Sequence, residues 1–71
     1  MKGLFLRAQE NKMKLEMFYM DDEGSLTQRT IRVLRVSKES ILAYCYERKE
    51  VRSFKQENIL SAGPLRGKVG A

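Results

Sequence analysis

No histidine and no tryptophan occur anywhere in the 71 residues, and cysteine and proline appear once each. Each scarcity narrows the chemistry. Histidine is the commonest general base and the commonest metal ligand, so acid–base catalysis near neutral pH and the usual zinc site both lose their main component. A single thiol, Cys45, cannot close an intramolecular disulfide, and without histidine it makes neither a Cys-His dyad nor a zinc ligand set. A chain this short must then be held by packing, as a reduced protein is, and the expected location is cytoplasmic. Long hydrophobic runs are also missing. Only Gly3 to Leu6 separate Met1-Lys2 from Arg7, too little for a signal-peptide core or a bilayer span, so no membrane association is expected. The acidic run Asp21-Asp22-Glu23 lacks the alternate ligand spacing and distal Glu of a calcium loop and reads as a solvated turn. Ser25, Ser37, Ser40, Ser53 and Ser61 sit in none of the nucleophile motifs, and no Gly-rich loop opens a helix to cradle phosphate. The expectation is a protein that is not an enzyme, with no metal and no cofactor.

What is present is a foldable, basic chain. Hydrophobic residues make up 42% and charged residues 32%, with both signs represented, which argues against disorder. The 14 Lys+Arg against 9 Asp+Glu leave a net charge of +5, a balance that favours acidic partners such as nucleic acid or nucleotides. There is room for one small domain, expected over residues 1–62. Gly, Pro and Lys accumulate from Gly63, so residues 63–71 read as a flexible tail.

Periodicity sets the order of elements. Leu4, Phe5 and Ala8 fall at helical spacing within Lys2 to Asn11, predicting a short amphipathic helix. Met13, Leu15, Met17 and Tyr19 then alternate with Lys14 and Glu16, the period of a half-buried strand. Asp21 to Ser25 supplies turn chemistry, because Gly24 tolerates positive φ and the Asp side chains bond the local backbone. Leu26 to Val36 returns as a second strand whose alternation slips: Ile31 and Val33 fall on one face, Leu34 and Val36 on the other. Such a slip predicts a bulge or a sharp bend. Ser40 to Tyr46 and Val51 to Lys55 read as strands joined by Glu47-Arg48-Lys49-Glu50, then Gln56 to Asn58 as a short turn and Ile59 to Ala62 as a last strand. The fold class is mostly β: a short N-terminal helix followed by a strongly bent, four- to five-stranded antiparallel barrel of the SH3/Sm type.

Arginine placement is the remaining chemical signal. Arg29, Arg32 and Arg35 recur every three residues, and Arg48 and Arg52 stand four apart near Tyr44, Tyr46 and Phe54. Arginines beside aromatic rings hold phosphates bidentately while rings stack. The competing interpretation is a solvated sheet face on which arginine stems cover apolar surface. Cys45, between Tyr44 and Tyr46 in an apolar strand, reads as a small half-buried packing residue.

The run from Ile41 through Tyr44-Cys45-Tyr46, Arg48, Val51-Arg52-Ser53-Phe54 to Glu57-Asn58-Ile59 resembles the end of a WYL domain. There a Tyr-Cys strand leads through Arg to an Arg-x-Phe strand and a terminal Asp-Arg-Ile. An Ala-bearing helix, a strand ending in Tyr19, an acidic turn with Gly24 and the segment Gln28-Arg29-Thr30-Ile31 look like the family's opening half. The resemblance covers residues 4 to about 62. It departs at the triplet that names the family, which aligns with Glu39, Ser40 and Ile41, at Val33 where proline is usual, and at Asn58 in place of arginine. These departures alter any pocket built on the named tyrosine and the last arginine. WYL domains commonly sit behind DNA-binding helical domains in bacterial transcription regulators, or on helicases, and are thought to sense nucleic-acid or nucleotide ligands. The resemblance therefore implies a free-standing, single-domain regulatory or sensor module. Its expected ligand is single-stranded nucleic acid or a nucleotide-like anion, bound at Arg29, Tyr44, Arg48 and Arg52, with Arg32, Tyr46 and Lys55 as additional contacts. The alternative, from another class, is a protein-interaction or homo-oligomerisation module using exposed barrel edge strands.

Overall fold

The alternation of apolar and polar residues becomes one antiparallel sheet in the computed structural model, which describes residues 2–65. Helix α1 spans Lys2–Asn11, and the strands are β1 (Lys14–Met20), β2 (Leu26–Val36), β3 (Ser40–Cys45), β4 (Glu50–Lys55) and β5 (Ile59–Pro64). A 3-10 turn, Gln56–Asn58, joins the last two. Strands β1 to β4 follow one another as a meander and β5 returns to the free side of β1, giving the order β4-β3-β2-β1-β5. The sheet is bent in the SH3/Sm manner but not closed, and β4 and β5 are its edges.

Helix α1 lays Phe5 and Ala8 against the concave face, packed on β2. The core there consists of Leu15, Met17 and Tyr19 from β1, Ile31 and Val33 from β2, Ile41, Ala43 and Cys45 from β3, Phe54 and Ile59. The helix ends in a Schellman arrangement: the Met13 amide donates to the Ala8 carbonyl at 3.0 Å and the Lys12 amide to that of Gln9 at 3.4 Å. Lys12 takes the left-handed position usually given to glycine, with φ 55°. In the β1–β2 hairpin, Asp21 Oδ1 accepts the amides of Glu23 and Ser25 at 3.0 and 2.8 Å, and Gly24 has φ 85°. A side chain there would be strained, which is the need glycine meets.

The slip in β2 has a definite cause. The β2–β3 register runs Val33↔Ala43, then Arg35↔Leu42 and Val36↔Ile41, leaving Leu34 as an extra residue between them. The bulge leaves Leu34 and Arg35 both facing away from the core and restores Val36 to the side of Val33, so the expected placement of Val36 on the opposite face is corrected. The bulge also frees the Leu34 carbonyl from the ladder, and Gln9 Nε2 of α1 donates to it at 3.0 Å. A second irregularity, between Phe18 and Tyr19 in the pairing with β5, bends the other side of the sheet. Strand β5 continues two residues beyond its expected end, through Gly63 to Pro64 paired with Leu15. An edge strand accommodates proline because its missing N–H has no partner strand to serve. Residues 66–71, the rest of the expected tail, lie outside the described residues.

Candidate functional site

Period-two geometry decides which basic and aromatic side chains meet. Arg29 shares parity with Ile31 and Val33 and points to the concave face, where it is 9% exposed, the one charged side chain in the core among the described residues. Its Nε donates to Thr27 Oγ1 at 3.1 Å, and the Thr27 hydroxyl donates to the Tyr19 carbonyl at 3.0 Å. One terminal nitrogen donates to Cys45 Sγ at 3.7 Å. The guanidinium carbon lies 5.6 Å from the Phe54 ring centroid and 5.9 Å from that of Tyr19, within cation–π range. Those two rings meet edge to face at 5.0 Å, and the Tyr19 hydroxyl accepts the Lys55 amide at 3.1 Å. A tyrosine of β1 thus ties itself to edge strand β4 across the open side of the sheet.

Among the described residues Arg29 has no carboxylate partner. The ion pair found among the described residues joins Arg52 to Glu50 at 2.8 Å, and both of its side chains are well exposed. A guanidinium carries five N–H donors in a fixed fork, and the two hydrogen bonds described for Arg29 both go to neutral acceptors. Burial of a charge is costly without a charged partner. No enclosed side-chain nitrogen or oxygen lacks a hydrogen bond among the described residues, so the remaining donors keep access to solvent. Access runs through a pocket of about 130 Å³ lined by Tyr19, Asp21, Asp22, Arg29, Arg52, Ser53 and Phe54. At roughly 30 Å³ per water, it has room for about four water molecules, or one phosphate or carboxylate group. Two arginines and two aspartates share its wall, and Asp21 is already engaged with its own turn.

Tyr44 is elsewhere. Its neighbours Ala43 and Cys45 are fully buried, so Tyr44 and Tyr46 face outward on the convex side, where Arg32 pairs directly across from Tyr44. There Arg32, Leu34, Tyr44 and Tyr46 line a shallow, mostly apolar cleft of about 400 Å³. The two tyrosine rings stand edge to face at 5.0 Å, and Lys14 Nζ lies 4.7 Å above the Tyr46 ring. Arg48 occupies the exposed β3–β4 turn and lines neither pocket. Lys55 borders a third, larger cleft of about 680 Å³ whose charged side chains are mixed, Lys38 and Lys55 with Glu39 and Glu57. The expected grouping of Arg29, Arg48 and Arg52 around Tyr44 is therefore corrected. Arg29 and Arg52 share the concave pocket, Arg32, Tyr44 and Tyr46 share the convex cleft, and the sheet separates them.

Sequence reasoning missed Tyr19, Thr27 and Ser53 for the concave pocket and Lys14 for the convex cleft. Parity could have shown the split: if Cys45 is buried, the tyrosines on either side of it are not. Glu47, read as a turn residue, has a specific structural part. Both of its carboxylate oxygens accept the Thr30 amide, at 2.9 and 3.0 Å, and the Cys45 thiol donates to it at 3.7 Å. Burial pushes its pKa up, but hydrogen bonds from the Thr30 amide, its own amide and the Thr30 and Cys45 side chains outweigh this and hold it below the ordinary carboxylate value.

The helix followed by a bent five-stranded sheet defines the class, an SH3/Sm-like module with a small pocket on its concave side. No family model matches the chain. No curated protein matches it. Among solved structures it is similar to proteasome accessory factor B/C (PafBC) of Arthrobacter aurescens, with a TM-score of 0.78 and 22% identity over 93% of this chain. The likeness shows a shared fold, a short helix followed by a bent antiparallel sheet. The chain spans 11% of the length of PafBC. Among the described residues no helix is long and apolar enough to cross a membrane, and no group of His, Cys, Asp and Glu could hold a metal ion.

Proposed function

We propose that the chain is a non-enzymatic ligand-binding module of the regulatory or sensor kind. It holds the phosphate of a nucleotide-like anion, or of a nucleic-acid single strand, in the concave pocket beneath Arg29. The observation that carries this reading is the almost complete burial of Arg29 without a carboxylate partner among the described residues, its remaining donors beside a cavity sized for one anionic group. A charge-assisted bond there contributes about 1.5–3 kcal/mol. Arg52 stands at the mouth, and Asp21 and Asp22 favour a ligand with hydroxyl or amine donors beside its anion, as a nucleotide has. The similarity to PafBC is consistent with a regulatory or ligand-binding role. Arg32, Arg48 and Lys55 contribute long-range positive potential rather than contacts in the pocket.

The test is an NMR titration with nucleoside monophosphates and with short single-stranded DNA and RNA. Shifts should centre on Tyr19, Arg29, Arg52 and Ser53. A strand engaging roughly three to five phosphates gives a slope of log affinity against log salt of about −2 to −4, and a single phosphate about −0.7. Shifts spread evenly over exposed lysines and arginines would mean diffuse electrostatics and no pocket. The unpaired outer sides of β4 and β5 favour a second reading, a protein-interaction or self-assembly module working by strand addition. Concentration-dependent assembly that persists in high salt would support it against the first.

A further inference from the structure

The convex face presents a second, independent surface. A single cross-strand row runs Val51↔Tyr44, Tyr44↔Arg32, Arg32↔Lys14, spanning β4, β3, β2 and β1. It is graded: Val51 is 50% exposed at the β4 edge, Tyr44 stands in the middle, and two cations complete it. Leu34, outward by its parity with Arg32, forms one wall of the cleft beside this row, and Tyr46 forms another beneath Lys14. Bulges re-aim side chains, and this one turns Arg35 outward and Val36 back to the core side, leaving an exposed leucine next to two tyrosines and an arginine. Apolar surface in the company of tyrosine and arginine is the composition of interface centres.

We infer that this face docks an extended, acidic segment of a partner protein, with one bulky apolar side chain in the Leu34–Tyr44–Tyr46 cleft and carboxylates against Arg32 and Lys14. Charge complementarity selects the occupant. A second copy is disfavoured, because a two-fold contact would set Arg32 and Lys14 against themselves in a chain of net charge +5. Stacked nucleobases fit less well: the two tyrosine rings are edge to face rather than parallel, Lys14 covers the face of Tyr46, and one guanidinium lines the cleft. The inference does not depend on the Arg29 pocket, which opens on the other side of the sheet.

Peptides displayed on phage and selected on the immobilised full chain test it, followed by NMR titration of a selected peptide and, separately, of oligothymidylate. Selected peptides should place aspartate or glutamate beside leucine or an aromatic residue and shift the amides of Arg32, Leu34, Tyr44 and Tyr46 more than those of Arg29 and Thr27. Tyr44→Ala and Arg32→Gln should each weaken the peptide at least about fivefold, the size of an interface-centre truncation, while Arg7→Gln on the exposed side of α1 changes nothing. Circular dichroism melts establish that each variant is folded, and if Tyr44→Ala is not, Tyr44→Ser and the Arg32 variant carry the test. An empty selection, peptides without acidic residues, affinity indifferent to both substitutions, or oligothymidylate shifting these amides when the peptide does not would each overturn the inference.

Discussion

Replacing Arg29 with methionine separates a binding arginine from a structural one. Methionine keeps much of the stem's packing while removing the charge. Lost with the guanidinium are the charge-assisted Thr27 hydrogen bond, about 1.5–3 kcal/mol, and the cation–π contacts with Tyr19 and Phe54, about 0.5–1 kcal/mol each. Gained is relief from burying a charge that has no carboxylate, about 1–4 kcal/mol where buried charges have been exchanged for apolar side chains. The terms largely cancel, so Arg29→Met should leave the stability of the ligand-free protein within about 2 kcal/mol of the parent. An arginine that completed a buried ion pair would instead cost about 3–5 kcal/mol. The difference appears on adding ligand. A nucleoside monophosphate at about a hundred times its Kd should stabilise the parent by about 2.7 kcal/mol, a rise in Tm of roughly 10–20 °C for a domain of this size, and Arg29→Met by almost nothing. Urea and thermal melts read by far-UV circular dichroism measure both quantities, tyrosine fluorescence serving as the second probe since there is no tryptophan. A loss of 3 kcal/mol or more, with the ligand-induced shift intact, would refute the binding role and make Arg29 part of the scaffold.

Tyr19→Phe should cost about 1–3 kcal/mol by urea denaturation, because the Lys55 amide loses its acceptor at a part-buried site between β1 and edge strand β4. An unchanged midpoint would show that water replaces the hydroxyl there. Lys12→Gly should raise stability by roughly 0.5–1 kcal/mol: the left-handed backbone at φ 55° costs a side chain about 1–2 kcal/mol, and the added freedom of glycine in the unfolded chain takes part of that back. A destabilised variant would mean that the lysine side chain contributes more than its backbone conformation costs. The lowered pKa of Glu47 makes a signed prediction. Its contribution is fully present above the unfolded carboxyl pKa and is lost as pH falls through the lower folded value. Glu47→Gln should therefore flatten the acid limb of the stability profile and leave its alkaline limb alone, and identical acid limbs for the two proteins would exclude a role for Glu47 in acid sensitivity.

Much of the fold is legible in the sequence because its local signals agree. Helical spacing at Leu4, Phe5 and Ala8, strict alternation from Met13 to Tyr19 and the Asp-rich turn at Gly24 each predict the element the structure contains. Failures occur where tertiary pairing overrides the local pattern. The slip after Val33 announces a bulge but not its extra residue, since Leu34 and Val36 share a parity that only the pairing with Leu42 and Ile41 breaks. Pro64 argues against a strand on propensity, yet β5 lies at an edge with β1 as its single neighbour, where a missing N–H is harmless. Lys12 carries no capping signal at all. Its left-handed conformation follows from where the chain must go to begin β1.

The candidate sites were less legible because proximity in sequence and proximity on a sheet have opposite parities. Tyr44 and Cys45 are adjacent, yet Cys45 touches Arg29 inside while Tyr44 pairs with Arg32 outside. Arg29 and Arg32, three apart, look alike in a composition window and stand on opposite faces. One strand therefore serves both surfaces: β3 sends Cys45 toward the guanidinium of the concave pocket and Tyr44 into the convex cleft, and Glu47 at its end accepts from both the Cys45 thiol and the Thr30 amide of β2. A ligand that draws the Arg29 guanidinium away from Cys45 acts on the strand whose other side bears Tyr44. The physical coupling available between the two faces is thus a shift of β3 relative to β2 at Thr30, Ile31 and Cys45. A double-mutant cycle between Arg29→Met and Tyr44→Ala, read as peptide affinity with and without a nucleoside monophosphate, measures it. If β3 moves as a unit, the mononucleotide changes peptide affinity in the parent but not in Arg29→Met. Identical affinities in both states would mean that the sheet isolates its two faces.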